Sequence, residues 1–275
     1  MKSFLIRTNS IKDPGLKISN EIAEEIRRLK GDCRIAVDED PEVFDDYDAV
    51  IVLGGDGTIL RAAKAFAGHK LPIVGVNLGT LGFLAEIEPA NIRDMVKRLI
   101  EEDYQVVERM HLEGSIYREG MCIFRDTALN DVVVSRSGFS KLICLRIFVN
   151  DKLLDVYEAD GVIVSTPTGS TGYNLSAGGP IVSPDADILI ITPISPHSLT
   201  SKSIVFPGDT RVRIEVVNKR PDVKTDAYAN FDGNSGHDMQ CEDVIEIRKA
   251  ESHTNLIKLY EVGFYDVLRN KICQL

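Results

Sequence analysis

Two hydrophobic patterns alternate along the first part of the chain. Between residues 15 and 30, isoleucines and a leucine recur every three or four positions among charged residues, which predicts a helix. The run "AVIVL" at 49–53 is apolar throughout and mostly β-branched, as expected of a strand buried on both faces of a parallel sheet. Similar patterns predict strands over 2–8, 33–37 and 72–77 and helices over 58–67 and 88–103. This alternation predicts an α/β domain with a largely parallel sheet over residues 1–103.

The pattern changes after residue 103, where short β-type runs are separated by turn residues. These runs are "QVVERM", "MCIFRD", "LNDVVVS", "KLICLRIFVN", "GVIVSTP", "DILIITP", "TRVRIEVV" and "VIEIRKA". Helical spacing returns only at 170–178 and 264–273. We therefore expect an antiparallel, β-rich domain over 104–263, and a last helix over 264–275 that can pack back on the first domain. The chain as a whole is predicted to be α+β.

Composition narrows the possible partners. With 275 residues, 44% of them hydrophobic, the chain is long enough to bury a full core. Its formal net charge of −10 disfavours nucleic acid and anionic membranes as partners. No apolar run approaches the ~18 residues of a membrane span. The five cysteines are widely spaced without a CxxC pair, which indicates reduced thiols and a cytoplasmic protein rather than a disulfide framework or a zinc site.

The stretch "IVLGGDGTIL" at 51–60 places a glycine cluster directly after the buried strand. It is not a Walker A loop, since no Gly-Lys pair occurs in the chain, and position 60 is Leu where a dinucleotide fingerprint requires a third glycine. Backbone N–H groups at such a turn and at the following helix N-terminus can bind phosphate. Asp56 would repel that phosphate unless it acts on a neighbouring hydroxyl or holds a metal. The alternative is a turn aspartate that caps the helix.

A second polar cluster lies at 159–180, "ADGVIVSTPTGSTGYNLSAGG" with a following proline. A predicted strand opens here into a run of Ser, Thr, Asn and Gly residues with one aromatic, Tyr173. Hydroxyl and backbone groups of this kind can bind the edges of an adenine or a ribose, and a tyrosine ring offers a stacking face. The alternative is an irregular loop rich in helix caps.

Taken together, these motifs resemble the NAD kinase family. "GGDGT" at 54–58, "NLGTLGFL" at 77–84, "LNDVVVS" at 129–135 and "DGVIVSTPTGSTGYNLSAGGPIV" at 160–182 occur in the order of that family. "PISPHSLTSKSIVFP" at 193–207, "FDG" at 231–233 and "SHTNLIKL" at 252–259 extend the similarity over nearly the whole chain. The first motif is shared with phosphofructokinases and lipid kinases, whereas the long Thr-Pro-Thr-Gly-Ser-Thr stretch is the discriminating one.

The resemblance implies transfer of the terminal phosphate of ATP, or of polyphosphate in some members, to the 2′-hydroxyl of the adenosine ribose of NAD. Asp56 corresponds to the proposed base. The phosphate-donor loop corresponds to Gly54, Gly55, Gly57 and Thr58, with Arg61 as a nearby cation. Contacts to NAD are implied for Gly57, Phe83, Asn130, Asp131, Asp160, Thr171, Gly172, Tyr173 and Ser176. Asp131 stands where Glu is commoner, and Gly172 where Ala is frequent. From the predicted loop-to-strand position of "LNDVVVS", we expect Asn130 and Asp131 at an exposed strand entrance, with Asp131 ionised.

The family also implies Mg²⁺, or another divalent cation, bound with ATP, and a homodimer or homotetramer in which a neighbouring subunit completes the site. No residue is assigned directly to the metal. Two alternatives remain at this stage: another kinase with the Gly-Gly-Asp-Gly motif, acting on a sugar phosphate or a lipid, and a non-catalytic sensor of NAD or NADP. A carboxylate beside the phosphate loop disfavours the sensor, because a pure binder of phosphate gains little from it.

Overall fold

The structure is a computed structural model that describes residues 1–38, 46–79, 82–138, 142–198, 201–218, 226–260, 264 and 267–269. It divides into two compact units. The first comprises Met1–Arg109 and His253–Leu275, and the second comprises Met110–Ser252. The domain limits expected from the sequence, 1–103 and 104–263, stay a prediction. Of the predicted last helix, only residues 264 and 267–269 are described, and these are helical.

The first unit is built on a parallel sheet. Its strands and helices follow the predicted order along the chain: β1 (Ser3–Thr8), α1 (Lys17–Arg28), β2 (Asp32–Val37), β3 (Ala49–Leu53), α2 (Asp56–Ala65), β4 (Ile73–Val76) and α3 (Ile92–Glu101). The strands lie in the order β2-β1-β3-β4, with every pair parallel. Beyond β4, Leu256 near the end of strand β16 (Val244–Lys258) also pairs in parallel, with Ile73.

Burial explains why these segments fold as they do. Every residue of β3 is buried, which accounts for its uninterrupted apolar sequence. Helix α1 places Ile22 and Ile26 in the core, and helix α3 adds Met95 and Leu99. Burial of side chains of this size contributes roughly 1.5–3 kcal/mol each. The β3–α2 junction is thereby fixed to a rigid sheet.

The second unit consists of antiparallel pairs. Its strands are β5 (Gln105–Arg118) and β6 (Met121–Ala128), β7 (Asp131–Arg136), β8 (Ile143–Val149), β9 (Lys152–Ala159), β10 (Gly161–Ser165), β11 (Ile188–Ile194), β12 (Ile204–Pro207), β13 (Val212–Val217), β14 (Asp226–Phe231) and β15 (Ser235–Gln240). β5 begins in the first unit, and β16 ends there. One sheet has the order β12-β11-β10-β7-β14-β15. In the other, β13 pairs with β8 and with the beginning of β16, and β8 pairs with β9. The predicted fold class is confirmed.

Alternating side chains fill the core of this unit. Val132 and Val134 of β7 are fully buried, as are the alternate residues Val162 and Val164 of β10. They pack in one cluster with Leu145, Ile147 and Ile214 from the opposing strands. Because side chains alternate across a strand, this inward set leaves the neighbouring residues of β7 and β10 on the other face.

Helices α1 and α3 are shorter at both ends than the predicted 15–30 and 88–103, and two other predicted helices also differ from their predicted limits. The helix expected from Thr58 begins two residues earlier, at Asp56. The helix expected over 170–178 is two short pieces, a 3₁₀ turn over Thr168–Thr171 and helix α4 over Tyr173–Ser176. Gly172 separates them with φ −93° and ψ −130°, a conformation outside the helical region. This break carries the chain from the turn into α4.

Candidate functional site

The phosphate-loop motif lies at the end of β3. Gly54 has φ +155°, and its N–H donates to the carbonyl of Val76 on β4 at 2.9 Å. A Cβ on Gly54 would lie 2.4 Å from Oγ1 of Thr58, which is itself buried. Glycine is therefore required at position 54, because Thr58 occupies the space of any side chain there.

Gly55 is the N-cap of α2 and, as a glycine, has no side chain with which to cap the helix; the N–H of Thr58 donates to its carbonyl at 2.8 Å. Gly57 is exposed, and a Cβ on either Gly55 or Gly57 would meet nothing within 4 Å. The positive end of the helix dipole therefore faces accessible space, an arrangement that favours a bound anion.

Asp56 does not cap its own helix. Its Oδ2 accepts the backbone N–H of Phe83 at 2.8 Å, and its Oδ1 accepts those of Leu84 at 3.0 Å and Ala85 at 3.4 Å. The capping interpretation is wrong for this residue. A carboxylate offers about four lone-pair positions, so three donors leave about one for a further partner.

Gly82 makes this docking possible. A Cβ at position 82 would lie 1.9 Å from Oδ1 of Asp56 and 2.8 Å from Oδ2. The sequence analysis placed Gly82 within a family motif without giving it a role. The signal was present in the repeated glycines of that motif, but only the folded chain shows which glycine faces the carboxylate.

An aromatic pair and two cations belong to the same unit. The ring of Phe83 lies 6.1 Å from that of Phe264, centroid to centroid. Nζ of Lys12 lies 3.5 Å from Oγ1 of Thr58, which brings a cation to the glycine loop. The sequence analysis missed Lys12, since it lies more than forty residues before the motif. Arg61 is exposed on α2.

In the second unit, Asn130 and Asp131 enter β7. The carboxylate of Asp232 accepts the backbone N–H groups of Leu129 at 2.7 Å, Asn130 at 2.8 Å and Asp131 at 3.0 Å. Asp131 is only 6% exposed, so the expectation of an exposed strand entrance is wrong for this residue. β7 lies between β10 and β14, and these neighbours bury the first residue of the strand.

Burial changes the proton affinity of Asp131. Desolvation, followed by the nearby negative charge of Asp232, raises the pKa of Asp131 from 3.8 to about 7. The expectation of a fully ionised Asp131 is corrected accordingly, because both forms are populated near neutral pH. A carboxyl poised in this way can donate or accept a hydrogen bond.

The Thr-Pro-Thr-Gly segment packs directly on this dipeptide. Oγ1 of Thr166 donates to the carbonyl of Leu129 at 2.6 Å and accepts the N–H of Gly169 at 3.0 Å. A Cβ on Gly169 would lie 2.1 Å from the carbonyl oxygen of Asn130. The segment thus brings Gly172 next to the pair: a Cβ there would lie 3.3 Å from Nδ2 of Asn130.

Asn174 holds the far end of the same segment. It is fully buried, and its Nδ2 donates to the carbonyls of Ser170 at 3.1 Å and Pro180 at 3.0 Å. Its Oδ1 accepts from Oγ1 of Thr192 at 2.7 Å. The sequence analysis did not single out Asn174, although it stands between Tyr173 and Ser176. Its contacts fix α4 and thereby the position of Tyr173.

A cavity of about 410 Å³ opens beside these residues. Its lining consists of residues of the second unit: Asn130, Asp131, Val133, Ser135, Tyr173, Tyr228, Asn230, Asp232 and Gly233. This volume is in the range of small-molecule sites. Oδ1 of Asn130 and Oγ1 of Thr168 are buried without a hydrogen-bond partner among the residues that the structure describes. Such orphaned groups are rare in native proteins and indicate a missing partner.

The remaining predicted contact residues lie outside this lining. The carboxylate of Asp160 accepts from Nε of Arg136 at 2.6 Å. Oγ1 of Thr171 donates to the carbonyl of Thr168 at 3.3 Å, and Ser176 is exposed on α4. The structure therefore brings Asn130, Asp131 and Tyr173 around one cavity, with Gly172 close to the first two.

Comparison with known proteins identifies the family. Residues 11–104 match the model of the ATP-NAD kinase N-terminal domain, and residues 129–259 match that of the ATP-NAD kinase C-terminal domain. An NAD kinase of Lachnoclostridium phytofermentans is 40% identical over 281 residues, which cover 98% of this chain and 99% of the relative.

Solved structures give the same result. An NAD kinase from Archaeoglobus fulgidus in complex with ATP has a TM-score of 0.81 and 26% identity, over 98% of this chain and 99% of that one. Yeast NADH kinase complexed with NADH has a TM-score of 0.89 over 100% of this chain and 88% of that one; at 23% identity, it supports the fold alone. Fold and sequence together place the chain among the phosphotransferases. It belongs to the NAD kinase family, so the resemblance found in its motifs is confirmed.

Proposed function

We propose that this protein transfers the terminal phosphate of ATP to the 2′-hydroxyl of the adenosine ribose of NAD and so produces NADP. The observation that carries the proposal is the carboxylate of Asp56, which three backbone N–H groups hold at the open N-terminus of α2. A hydroxyl attacking a phosphate must lose its proton, and a fixed carboxylate with a lone pair to spare can accept it. The rest of phosphoryl transfer is mostly positioning and charge neutralisation.

The phosphate donor is assigned to the first unit. The exposed N–H groups after Gly55 would bind phosphate oxygens, and the side chain of Lys12 beside Thr58 would add positive charge. Arg61 is proposed as a further cation of this loop. Polyphosphate carries the same chemistry as the ATP triphosphate and is an alternative donor.

NAD is assigned to the second unit. Oδ1 of Asn130, buried and without a partner among the described residues, would accept from an adenine amino group or a ribose hydroxyl. Asp131 would accept from a ribose hydroxyl when ionised, and such charge-assisted bonds are among the stronger ones. Tyr173 is 47% exposed, which leaves its ring free to stack on a base. Gly57, Phe83, Asp160, Thr171, Gly172 and Ser176 remain proposed contacts on the resemblance.

A divalent cation would enter this site bound to the phosphates of ATP. Among the residues that the structure describes, no group of three or more His, Cys, Asp or Glu side chains could hold a metal. Mg²⁺ bound to nucleotide phosphates needs no such group, because it keeps several waters and takes one or two carboxylates. No residue of this chain is assigned to the cation directly, because the remaining lone pair of Asp56 is needed for the proton of the hydroxyl. When bound, the cation would neutralise charge on the phosphates.

Two properties of the whole protein are also proposed, the oligomeric state from the family resemblance and the cytoplasmic location from the widely spaced cysteines. We expect a homodimer or homotetramer in which a neighbouring subunit completes the site, and we expect a cytoplasmic protein. Within the described part of the chain, none of the helices is both long and apolar enough to traverse a bilayer.

The test is a two-step assay. Purified protein is incubated with ATP, Mg²⁺ and NAD, and the product is offered to a dehydrogenase that accepts only NADP. NADP formation that needs both ATP and NAD supports the proposal, and the Asp56→Asn variant serves as the matched control. The proposal is overturned if NADP forms neither with ATP nor with polyphosphate. Fructose 6-phosphate and diacylglycerol as acceptors test the two other kinase activities.

A further inference from the structure

Asp232 is a carboxylate group that the reaction described above does not use. It follows β14 in the "FDG" motif and has a left-handed backbone, with φ +54°. Its own N–H donates to the carbonyl of Asp131 at 3.1 Å, while its carboxylate accepts three backbone N–H groups from residues 129–131. Asp232 therefore bonds to both N–H and carbonyl groups of the peptide chain that carries Asn130 and Asp131.

The turn around Asp232 is held in place independently. Oδ1 of Asn230 accepts the N–H of Gly233 at 2.6 Å, and the N–H of Asn234 donates to the carbonyl of Phe231 at 3.0 Å. Phe231 is fully buried and pairs with Val132 of β7. The carboxylate thus projects from a fixed point, and its direction is set by the sheet.

The opposite side of the dipeptide is held by β10 and the segment after it. The carbonyl of Asn130 accepts the N–H of Thr166 at 2.8 Å and Oγ of Ser165 at 3.2 Å. With the backbone fixed from both sides, the side chains of Asn130 and Asp131 are the groups left to face the cavity. Oδ1 of Asn130 has no partner among the described residues, as expected of a group reserved for a ligand.

We propose that Asp232 is a positioning residue of the NAD site: its carboxylate holds the backbone of residues 129–131 so that Asn130 and Asp131 present their side chains to the ligand. The inference rests on the proposed function, in which these two side chains bind NAD. Asp232 acts through them rather than on a reacting atom.

The charge of Asp232 gives a second measurement beside KM itself, namely the pH dependence of NAD binding. Burial, and after it the charge of Asp232, raises the pKa of Asp131 to about 7. The other titratable groups that line the cavity are the phenols of Tyr173 on α4 and Tyr228 on β14. NAD binding by ionised Asp131 therefore strengthens as pH rises through about 7. Removal of the neighbouring charge moves this change to lower pH.

The experiment compares three variants of the full chain. Asp232→Asn keeps the shape but removes the charge and turns one acceptor into a donor that faces a backbone N–H. Asp232→Gly removes the carboxylate and suits the left-handed backbone, so it stays foldable. Asp243→Asn is the matched control: Asp243 is also buried, accepts the backbone N–H of Gln240 at 2.8 Å, and pairs with Arg118 at 2.7 Å.

Both Asp232 variants should raise the KM for NAD by about ten- to a hundredfold, the scale of losing one hydrogen bond to a charged group. The KM for ATP should stay near that of the wild type, and Asp232→Asn should move the pH dependence of the NAD KM to lower pH. Asp243→Asn should lower Tm without these changes. The inference is overturned if both Asp232 variants keep the wild-type KM and pH profile, or if Asp243→Asn alters them equally. Failure of the proposed function is distinct, since the wild type would then form no NADP.

Discussion

The carboxylate of Asp56 occupies the space that a side chain at Gly82 would need: a Cβ built there would lie 1.9 Å from Oδ1. Gly82→Ala should therefore displace the carboxylate from the N–H groups of residues 83–85. A shift of this kind near the reacting atoms costs about 10²-fold in rate, so we expect kcat to fall by about that factor. Steady-state kinetics with saturating NAD and ATP measure it.

The matched control is Gly79→Ala in the same segment. A Cβ on Gly79 would meet nothing within 4 Å, so this variant should retain near-normal kcat. Equal losses in the two variants would show that the segment, and not the contact with Asp56, limits turnover.

Replacement of the proposed base is the second test. Asp56→Asn keeps the size of the side chain but cannot accept a proton at neutral pH. We expect the fold and NAD binding to persist while kcat falls by about 10²–10⁴-fold, the usual contribution of a general base. An Asn variant with near-normal turnover would leave Asp56 with a purely structural role at the loop. Calorimetric titration with NAD checks that the site is intact.

The donor loop is tested at Gly57. From the sequence alone, Gly57→Val is expected to strain the turn and to block phosphate. The structure removes the first reason, because Gly57 is exposed and a Cβ there meets nothing within 4 Å. We now expect an almost unchanged Tm, loss of ATP binding and largely retained NAD binding. Unchanged ATP affinity in calorimetry would place the phosphate elsewhere.

Asp131 is expected to contribute to NAD affinity. Asp131→Ala should weaken NAD binding by roughly 1.5–3 kcal/mol, the scale of a hydrogen bond to a charged group, and should change ATP binding much less. Asp131→Glu keeps the carboxylate and should retain most activity. The KM values for NAD and ATP in both variants decide this. A lowered Tm with an unchanged NAD KM would make Asp131 a structural residue.

The pKa of Asp131 also predicts how stability depends on pH. The folded protein holds this proton up to about pH 7, whereas the unfolded chain releases it near pH 3.8. Stability from this group is therefore fully present below about pH 4 and is lost as pH rises through 7. The largest possible loss is about 4 kcal/mol. Asp131→Asn should remove this loss, so its Tm relative to wild type should rise between pH 4 and pH 8. Parallel Tm curves would contradict the assignment.

Much of the first unit could be predicted from the sequence because its signals are local. The strand at 49–53 has the predicted limits, since an apolar, β-branched run needs no distant information to be recognised. Helix α2 begins earlier than predicted because Asp56 makes no cap contact and is instead the first helical residue. The partner of its carboxylate lies 27 residues further along the chain, a distance that no local pattern encodes.

The second unit shows where local patterns fail. β9 and β15 lie at the edges of their sheets and are largely polar or exposed, so neither has a clear hydrophobic alternation. The hairpin before β9 turns through Asn150 and Asp151, both with positive φ. Asn and Asp are residue types preferred at such turn positions, so this pair is itself a sequence signal for the hairpin. The burial of Asp131 depends on strand order, which brings β10 and β14 to either side of β7. Sequence position alone suggests an exposed loop there.

The donors that hold Asp56 are main-chain groups, and this has an evolutionary consequence. An N–H group is present whatever side chain follows it, so replacements at the partly exposed Phe83 or Leu84 by any residue except proline preserve the donor. The side chains at these two positions can therefore change while the carboxylate keeps its place, whereas burial restricts the side chain at Ala85. Divergence at Gly82 is restricted, because the docked carboxylate leaves no volume for a larger residue.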